Sequence, residues 1–414
     1  MRRSIGGVFG MVMAMQVIGQ NGVLPADPRV DLNLGFRNVI STSGIFDYNA
    51  NTVLNELPLA ILNGEFLERE LRLRTADALS DQGNSLGYIM HGQVQWSGAA
   101  CWGKRSHLRP IVNVAYHEQS GLSFTADQFN VAFFGNAAYQ ERNAQLSPSA
   151  FEQIRYQTIG AGFQHDSTGS FIRLDLVRGQ SLSALDVRSA ELFTGADGRV
   201  LRTSFTGDYV ASDTAGSGFD RTNGLGAAIS GRWNFASNGE RPIRFRVGVD
   251  DLGFIVWNPN TVRIAKDTLF SYEGWRVENL FTLDDVFVNE ETVLDTFGLR
   301  YQHGSITRLM PFRVHANASV ELTADWRLGL AVEQRYLPGY IPQGTVQVSR
   351  VLGSRTMLGA SVSYGGFGTL RFGLAAKHRF GEHILVSLST AQVPAWISTR
   401  VKGLGAMLGI SVAW

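Results

Sequence analysis

Apolar and polar side chains alternate one by one along most of this chain, and a period of two residues is that of a β-strand. The alternation is clearest in residues 243–250, 312–322, 326–336 and 370–377. In each of these segments one face is aliphatic or aromatic, and the opposite face carries charged, polar or small side chains. The pattern predicts many half-apolar strands and very little helix.

The last strand of the chain carries its own pattern. Leu408, Ile410, Val412 and Trp414 share one face of residues 408–414, and small or polar residues share the other. An alternating final strand that ends on an aromatic residue resembles the membrane-insertion signal of bacterial outer-membrane β-barrels. One side of such a strand faces lipid, and the terminal ring favours the membrane–water boundary. The alternative is the closing strand of a soluble β-sandwich.

The first residues predict export. Arg2 and Arg3 precede an apolar run over residues 5–18, and the small residue Gly19 follows it. A basic start, a short apolar middle and a small residue are typical of a secretory signal peptide. The run is too short for a membrane helix, which needs about 20 apolar residues. We therefore expect residues 1–19 to be a cleaved signal peptide and residues 20–414 to form the mature protein.

Together these features predict an all-β protein, a transmembrane β-barrel of about 14 antiparallel strands in the outer membrane of a Gram-negative cell. Alternation alone does not exclude a β-sandwich. The signal peptide, the terminal strand and the aromatic residues near the strand ends decide for a barrel. Those aromatic residues are Trp96, Trp233, Trp326, Tyr336, Tyr364 and Trp414.

The predicted strands leave several segments outside the sheet. The strands cover residues 29–40, 85–97, 107–118, 122–135, 152–164, 170–179, 186–194, 199–210, 223–236, 242–257, 269–280, 293–303, 309–322, 325–337, 343–351, 356–364, 368–380, 383–391 and 404–414. Residues 250–271 and 281–291 read as long loops. Within 50–80, residues 55–64 predict a short helix that ends at Gly64. This segment is an ordered loop, a lumen plug or a periplasmic cap.

Composition removes other classes of function. A net charge of +1 gives no case for nucleic-acid binding. Cys101 is the single cysteine, so no internal disulfide can form, and we expect a buried thiol rather than a reactive one. No histidine pair has the spacing of a zinc site, and His165, Asp166 and Ser167 read as a hairpin turn rather than a triad. We expect no catalytic residue, no metal and no cofactor.

The inward faces of the predicted strands carry most of the charge. An open channel and a salt-bridged interior both fit these side chains, and the excess of arginine would give an open channel a weak anion preference. The candidates for lining the lumen are Arg244, Arg246, Asp250, Arg313, His315, Glu321, Arg327, Glu333, Arg335, Arg371 and Lys377.

Several segments resemble an uncharacterised family of Bacteroidota outer-membrane proteins, which is itself similar to the FadL-like barrels and to the PorV component of type IX secretion. The matching segments are residues 126–136, 155–162 and 251–257 and the strand that begins at Leu408. The resemblance implies a barrel of roughly 14 strands in the outer membrane. It supplies no catalytic residue, and residues 50–80 match it poorly.

Two functions fit these observations. The first is a FadL-like transport conduit for a small hydrophobic or amphipathic solute. The second is an accessory or structural barrel of a larger outer-membrane machine such as type IX secretion. An enzyme ranks third, because no nucleophile and base lie together. Expected partners are outer-membrane lipid and lipopolysaccharide, the barrel-assembly machinery and, under the second function, other machine subunits. Unpaired arginines around an open lumen would favour transport, and arginine–carboxylate ladders would favour a scaffold.

Replacement of Arg244 and Arg246 by alanine separates the two functions. If the protein is a conduit, the conductance of the purified barrel in planar bilayers should change, because two lumen charges are lost. If it is a scaffold, only the stability should change. If neither changes, these side chains do not face the lumen.

Overall fold

The computed structural model describes residues 24–27, 29–32, 36–99, 107–196, 200–213, 218–272 and 302–414, with the backbone alone for 265–272. The predicted signal peptide, Cys101, the loop 281–291 and most of the strand predicted at 293–303 lie outside the described residues.

Strands dominate the described residues, and three short α-helices interrupt them. The first strands are β1 (Val39–Ala50), β2 (Asn84–Ser97), β3 (Leu108–Phe124), β4 (Asn143–Gln145), β5 (Ser149–His165), β6 (Phe171–Thr194), β7 (Leu201–Ala211), β8 (Gly224–Ala236), β9 (Arg244–Trp257) and β10 (Val262–Tyr272). They continue with β11 (Gln302–His303), β12 (Ile306–Leu309), β13 (Arg313–Glu321), β14 (Trp326–Arg335), β15 (Ile341–Leu352), β16 (Thr356–Gly366), β17 (Arg371–Phe380), β18 (Ile384–Thr390) and β19 (Gly403–Ala413). The helices are α1 (Glu56–Asn63), α2 (Arg69–Asp77) and α3 (Ala126–Phe134).

The wall is a closed antiparallel barrel of 14 strands, which confirms the predicted fold class. Its order is β1, β2, β3, β5, β6, β8, β9 and then β13 to β19. The seam between β1 and β19 closes it, and its register runs from Val39 opposite Ala413 to Asn49 opposite Gly403. No strand of the described wall is therefore left with an unpaired edge.

A second sheet extends the wall at one end. The first part of β6 pairs with β8 in the barrel, and its last part pairs with β7. Strand β7 then pairs with β10 along its whole length. The prediction of a loop over residues 250–271 is wrong, because β9 and β10 cover most of it.

The two ends of the barrel differ in the length of their connections. Five of the six connections at the end that holds Val39 and Trp414 are short turns, at residues 166–170, 237–243, 322–325, 353–355 and 381–383, and the sixth, at 98–107, is longer. The other end carries the extension sheet and all three helices. In bacterial barrels short turns face the periplasm and longer loops face outward, so we call these ends periplasmic and outer.

The helices form a small apolar core at the outer end. Helix α1 lies where the sequence predicts it, and Gly64 ends it in the left-handed conformation. The strand predicted at 122–135 is wrong: β3 ends at Phe124, and Thr125 Oγ1 accepts a hydrogen bond from the backbone N–H of Gln128 at 3.0 Å to begin α3. Leu57 of α1 and Phe129 of α3 pack together in this core. Residues 50–80 lie at the end with the extension sheet, and the choice between an ordered loop, a lumen plug and a periplasmic cap stays a prediction.

Large apolar side chains cover the outside of the wall. Ile159, Leu174, Leu176 and Leu225 are 61%, 67%, 75% and 65% exposed. Aliphatic side chains at this exposure fit a wall that faces lipid. No helix in the described residues is long and apolar enough to span a membrane.

The close approach of β5 and β6 makes a stability test. A Cβ on Gly162 would overlap the carbonyl oxygen of Ile172, so we expect Gly162→Ala to destabilise the barrel by about 1–3 kcal/mol through overpacking. Gly44→Ala on β1 is the matched control, since a Cβ there meets nothing within 4 Å. The measurement is the urea midpoint of unfolding, read from the gel mobility of unheated protein. Equal midpoints for the two variants would contradict the tight contact.

Candidate functional site

Residues 24–27 and 29–32 lie inside the barrel at the periplasmic end, and we call them the lumen segment. Leu24, Asp27 and Val30 are at most 5% exposed. The segment turns on itself, because the Asp27 N–H donates to Asp31 Oδ2 at 2.8 Å. The first strand predicted at 29–40 is therefore wrong, and β1 begins at Val39.

Charged side chains of the wall hold the lumen segment. Arg244 Nη1 donates to the carbonyl oxygen of Ala26 at 3.1 Å. The ion pairs join Asp27 to Arg327, Asp31 to Lys377 and, at 2.9 Å, Arg29 to Asp325. Burial would raise the pKa of Asp27, but hydrogen bonds from Arg29 and the charges of Arg327 and Arg29 outweigh it and lower that pKa. The Asp27 carboxylate therefore stays ionised in the lumen.

A small apolar contact adds to these charges. Leu24 and Val30 pack with Val351, Met357 and Ala375 of the wall. A Cβ on Gly359 would lie 2.5 Å from Leu24 Cδ2, which shows how closely the segment meets β16. The lumen segment thus fills the periplasmic mouth with both apolar and ionic contacts.

A bulge in β9 turns two consecutive acidic residues into the lumen. The pairing of β8 with β9 shifts register between Ile229 and Gly231, and Asp251 has a φ of 58°. Left-handed backbone is costly for a residue other than glycine and marks sites where the surroundings impose it. Asp250 and Asp251 both contact interior side chains as a result.

Asp251 contacts polar side chains on one side of the lumen. Tyr156 OH donates to Asp251 Oδ2 at 3.2 Å, and His117 Nδ1 lies 3.3 Å from the same oxygen. His91 Nδ1 is 3.1 Å from His117 Nδ1. These contacts link β2, β3, β5 and β9 in one polar layer across that side.

Asp250 contacts charged side chains on the other side of the lumen. Its Oδ2 lies 3.6 Å from Arg313 Nη1 and 3.5 Å from His315 Nδ1. Arg313 Nε then meets Glu333 Oε2 at 3.2 Å, and Arg335 Nε meets Glu333 Oε1 at 3.3 Å. These interior side chains form one network, which we call the charged layer. Its members are His91, His117, Tyr156, Asp250, Asp251, Arg313, His315, Glu333 and Arg335.

Loops close the outer end above the charged layer. Leu337 and Tyr340, between β14 and β15, pack with Phe367 and with Ile89 of β2. Gly121 allows this approach, because a Cβ there would lie 2.5 Å from the carbonyl oxygen of Pro338. Tyr340 OH donates to Glu333 at 2.6 Å and ties the loop to the charged layer.

The predicted lumen residues lie on the interior face of the wall. Arg244, Arg327 and Lys377 contact the lumen segment. Glu321 pairs with Arg244 and Arg327. Asp250, Arg313, His315, Glu333 and Arg335 belong to the charged layer. Arg371 lies 3.6 Å from Asp47, and Arg246 donates to Asn234 at 3.1 Å. A role in solute passage stays a prediction for all eleven.

Sequence reasoning missed the partners of these residues. Four members of the charged layer were not among the predicted lumen residues: His91, His117, Tyr156 and Asp251. Asp27, which anchors the lumen segment, was not among them either. One signal was present in the sequence. The apolar face changes phase between Val249 and Leu252, and such a break in a period of two indicates a bulge.

Enzyme-like groups are sparse. In the described part of the chain, no three histidine, cysteine, aspartate or glutamate residues could together hold a metal ion. His165, Asp166 and Ser167 lie where β5 turns into β6, as predicted. Ser167 Oγ contacts His165 Nδ1 at 3.1 Å on an exposed surface, which offers no enclosed site for a substrate.

A family model described as "Family of unknown function (DUF5723)" matches residues 216–386. The match runs from the connection before β8 into β18, so it covers many of the wall strands. It supports the expected resemblance to an uncharacterised family. The Bacteroidota source and the likeness to PorV stay predictions. No curated protein matches the chain.

Solved outer-membrane barrels are similar over most of the chain. The toluene transporter TodX of Pseudomonas putida is 10% identical, with 96% of this chain and 98% of that chain covered and a TM-score of 0.40. The translocator domain of the autotransporter NalP from Neisseria meningitidis is 10% identical, with 92% and 89% covered and a TM-score of 0.34. At these identities and scores neither carries an argument about what this chain does.

The buried pair of Arg173 and Asp175 tests how the interior is held. Their Nε–Oδ1 distance is 2.7 Å, and both side chains are almost fully buried. Asp175→Ala should cost about 3–5 kcal/mol, because it strands a buried guanidinium. Replacing Arg173 by Met as well should recover much of this loss.

The control is Asp208→Ala, which breaks the partly exposed pairs with Arg188 and Arg263 and should cost at most about 1 kcal/mol for each pair. Urea unfolding followed by circular dichroism compares the three variants. If the double variant is as unstable as Asp175→Ala alone, the unpaired charge of Arg173 is not the cause of the lost stability, and this explanation is wrong.

Proposed function

We propose that this chain is a non-enzymatic outer-membrane β-barrel that conducts a small hydrophobic or amphipathic solute and that rests in a closed state. The observation that carries the proposal is the lumen segment. It is a stretch of chain outside the sheet, so it can leave the periplasmic mouth without breaking a single strand pairing of the wall.

The contacts of the lumen segment support a gate rather than a permanent seal. The side chains of Arg29 and Asp325 are 36% and 51% exposed, and ion pairs in contact with water contribute only about 0–1 kcal/mol each. Water can replace these contacts when the segment moves. The buried pair of Asp27 and Arg327 is the strongest single tie, so we propose it as the latch.

A second function, an accessory barrel of a larger machine, is favoured by the charged layer. Its arginines pair with carboxylates instead of lining an open pore, and ladders of this kind are what a scaffold predicts. The extension sheet of β6, β7 and β10 would then offer a surface to other subunits. Type IX secretion is one machine of this kind.

Export through a cleaved signal peptide and insertion by the barrel-assembly machinery belong to both functions. The exterior of Ile159, Leu174, Leu176 and Leu225 supports contact with outer-membrane lipid. Arginines on the interior face would give the open state a weak preference for anionic solutes.

Replacing Asp27 and Asp31 by asparagine tests the gate. The double change removes the ion pairs of Asp27 with Arg29 and Arg327 and of Asp31 with Lys377, without changing the size of either side chain. In planar bilayers we expect wild-type protein to be mostly closed. The variant should be open at least about tenfold more often, since 1.4 kcal/mol is a factor of ten. Uptake of a short fatty acid into vesicles should rise in parallel.

Asp208→Asn is the matched control, because it weakens ion pairs of the extension sheet and leaves the lumen untouched. Its conductance should equal that of wild type. If the folded double variant stays as impermeable as wild type, the conduit is excluded. Stoichiometric partners in a mild-detergent purification from native membranes would then support the accessory barrel.

A further inference from the structure

A polar patch interrupts the apolar outer wall on β3, β5 and β6. Glu118, Arg155, Gln157 and Arg178 face outward, because they alternate with the buried interior residues His117, Tyr156 and Val177. Charged side chains on a lipid-facing wall are costly near the middle of the membrane and become cheap only near its boundary. We call these four residues the outer-wall patch.

Glu118 is fully occupied within this patch. Tyr88 OH donates to its Oε1 at 2.7 Å, and Tyr116 OH donates to its Oε2 at 2.9 Å. Arg155 Nε lies 3.0 Å from Oε1. The Glu118 carboxylate thus contacts Arg155 through Nε and leaves the two terminal nitrogens of the guanidinium on the other side. Within the described residues, the two terminal nitrogens of Arg155 make no further hydrogen bond.

The side chain of Arg178, next to Arg155 in the patch, is held in place by other polar groups. Its Nε donates to Thr222 Oγ1 at 2.7 Å, its Nη1 donates to Gln157 Oε1 at 3.4 Å, and its Nη2 donates to the carbonyl oxygen of Asp220. Each of the two terminal nitrogens has a second N–H, which is the donor that a phosphate would use. Gln157 and Arg178 pair across β5 and β6, and Arg155 lies two residues from Gln157 on the same face. The two guanidinium groups therefore lie on neighbouring strands with their orientation set by other side chains.

An apolar column continues directly below the two arginines. Ile159 pairs with Leu176, the next outward row toward the periplasmic end, and Leu174 follows one row further down. Leu225 stands beside Arg178 on β8. All four apolar side chains are more than half exposed. Cationic donors at the top of an aliphatic column match a lipid with a phosphorylated headgroup and straight acyl chains.

We propose that the outer-wall patch binds the phosphorylated headgroup of a lipid in the outer leaflet, with Arg155 and Arg178 on the phosphate and the acyl chains along Leu174, Leu176 and Leu225. Guanidinium groups bind phosphate through paired charge-assisted hydrogen bonds. The outer leaflet is assigned because the patch lies on the side of the long connections. The inference rests on the membrane placement in the proposed function and does not depend on passage of a solute.

The experiment measures lipid retention by native mass spectrometry. Full-length protein in detergent is titrated with lipid A and, separately, with its dephosphorylated form. Wild type should retain lipid A, and the double variant Arg155→Gln, Arg178→Gln should bind it at least about tenfold more weakly, because charge-assisted hydrogen bonds are lost. Arg350→Gln is the matched control: this exposed arginine of β15 lies over the Trp326 ring near the periplasmic turns, and its loss should leave binding unchanged.

Each remaining outcome is decisive. Equal binding of both lipids, or equal binding by wild type and the folded double variant, would overturn the proposal. Competition by millimolar inorganic phosphate that abolishes lipid A binding would mean that the patch recognises free anion and would also overturn it. The conductance of the double variant is measured in parallel. If the double variant loses lipid A binding but keeps the conductance of wild type, the lipid site acts independently of the lumen segment.

Discussion

Closure of the sheet is the constraint on which the rest of this structure depends. Lipid offers no partner for a backbone N–H or C=O group, so every wall strand must pair on both sides. The seam between β1 and β19 satisfies the two strands that would otherwise be edges. Closure over 14 strands also creates an interior too wide for wall side chains alone to fill. The chain must either leave that interior wet or fill it with additional segments.

This chain fills it at three levels, and each level suits its surroundings. The lumen segment closes the periplasmic mouth with ion pairs and a small apolar contact. The charged layer crosses the middle, where each buried charge has a partner and so avoids most of the cost of desolvation. Loops with Tyr340 and Phe367 close the outer end. The bulge at Asp251 is tolerated because it faces the lumen, where irregular backbone can find polar partners.

The fold was predictable because lipid enforces a simple rule. One face of every wall strand must be apolar, so alternation over residues 312–322 or 404–414 identifies strands directly. The same rule explains the errors. Residues 29–34 alternate like a strand, but Pro25 and the charges of Asp27, Arg29 and Asp31 suit a turn inside the lumen. Residues 122–135 are apolar on helical as well as strand spacing, and Thr125 decides for a helix.

The interior was predictable only by residue type. Inward arginines and carboxylates follow from the strand phase, but their partners come from strands far apart in sequence. Asp47 meets Arg371, and Asp27 meets Arg327, because the barrel brings these positions together. No local pattern encodes such pairs. The break of phase at Asp250 and Asp251 was the single local sign of the charged layer.

A disulfide trap tests most directly whether the lumen segment occupies the barrel. Leu24→Cys and Gly359→Cys are introduced together with Cys101→Ser, which removes the one native cysteine. A Cβ on Gly359 would lie close to Leu24, so oxidation should give a cross-linked, closed barrel, and reduction should restore its gating in bilayers. Failure to cross-link, with the thiol introduced by Leu24→Cys freely modified by a bulky reagent in the folded protein, would contradict the account.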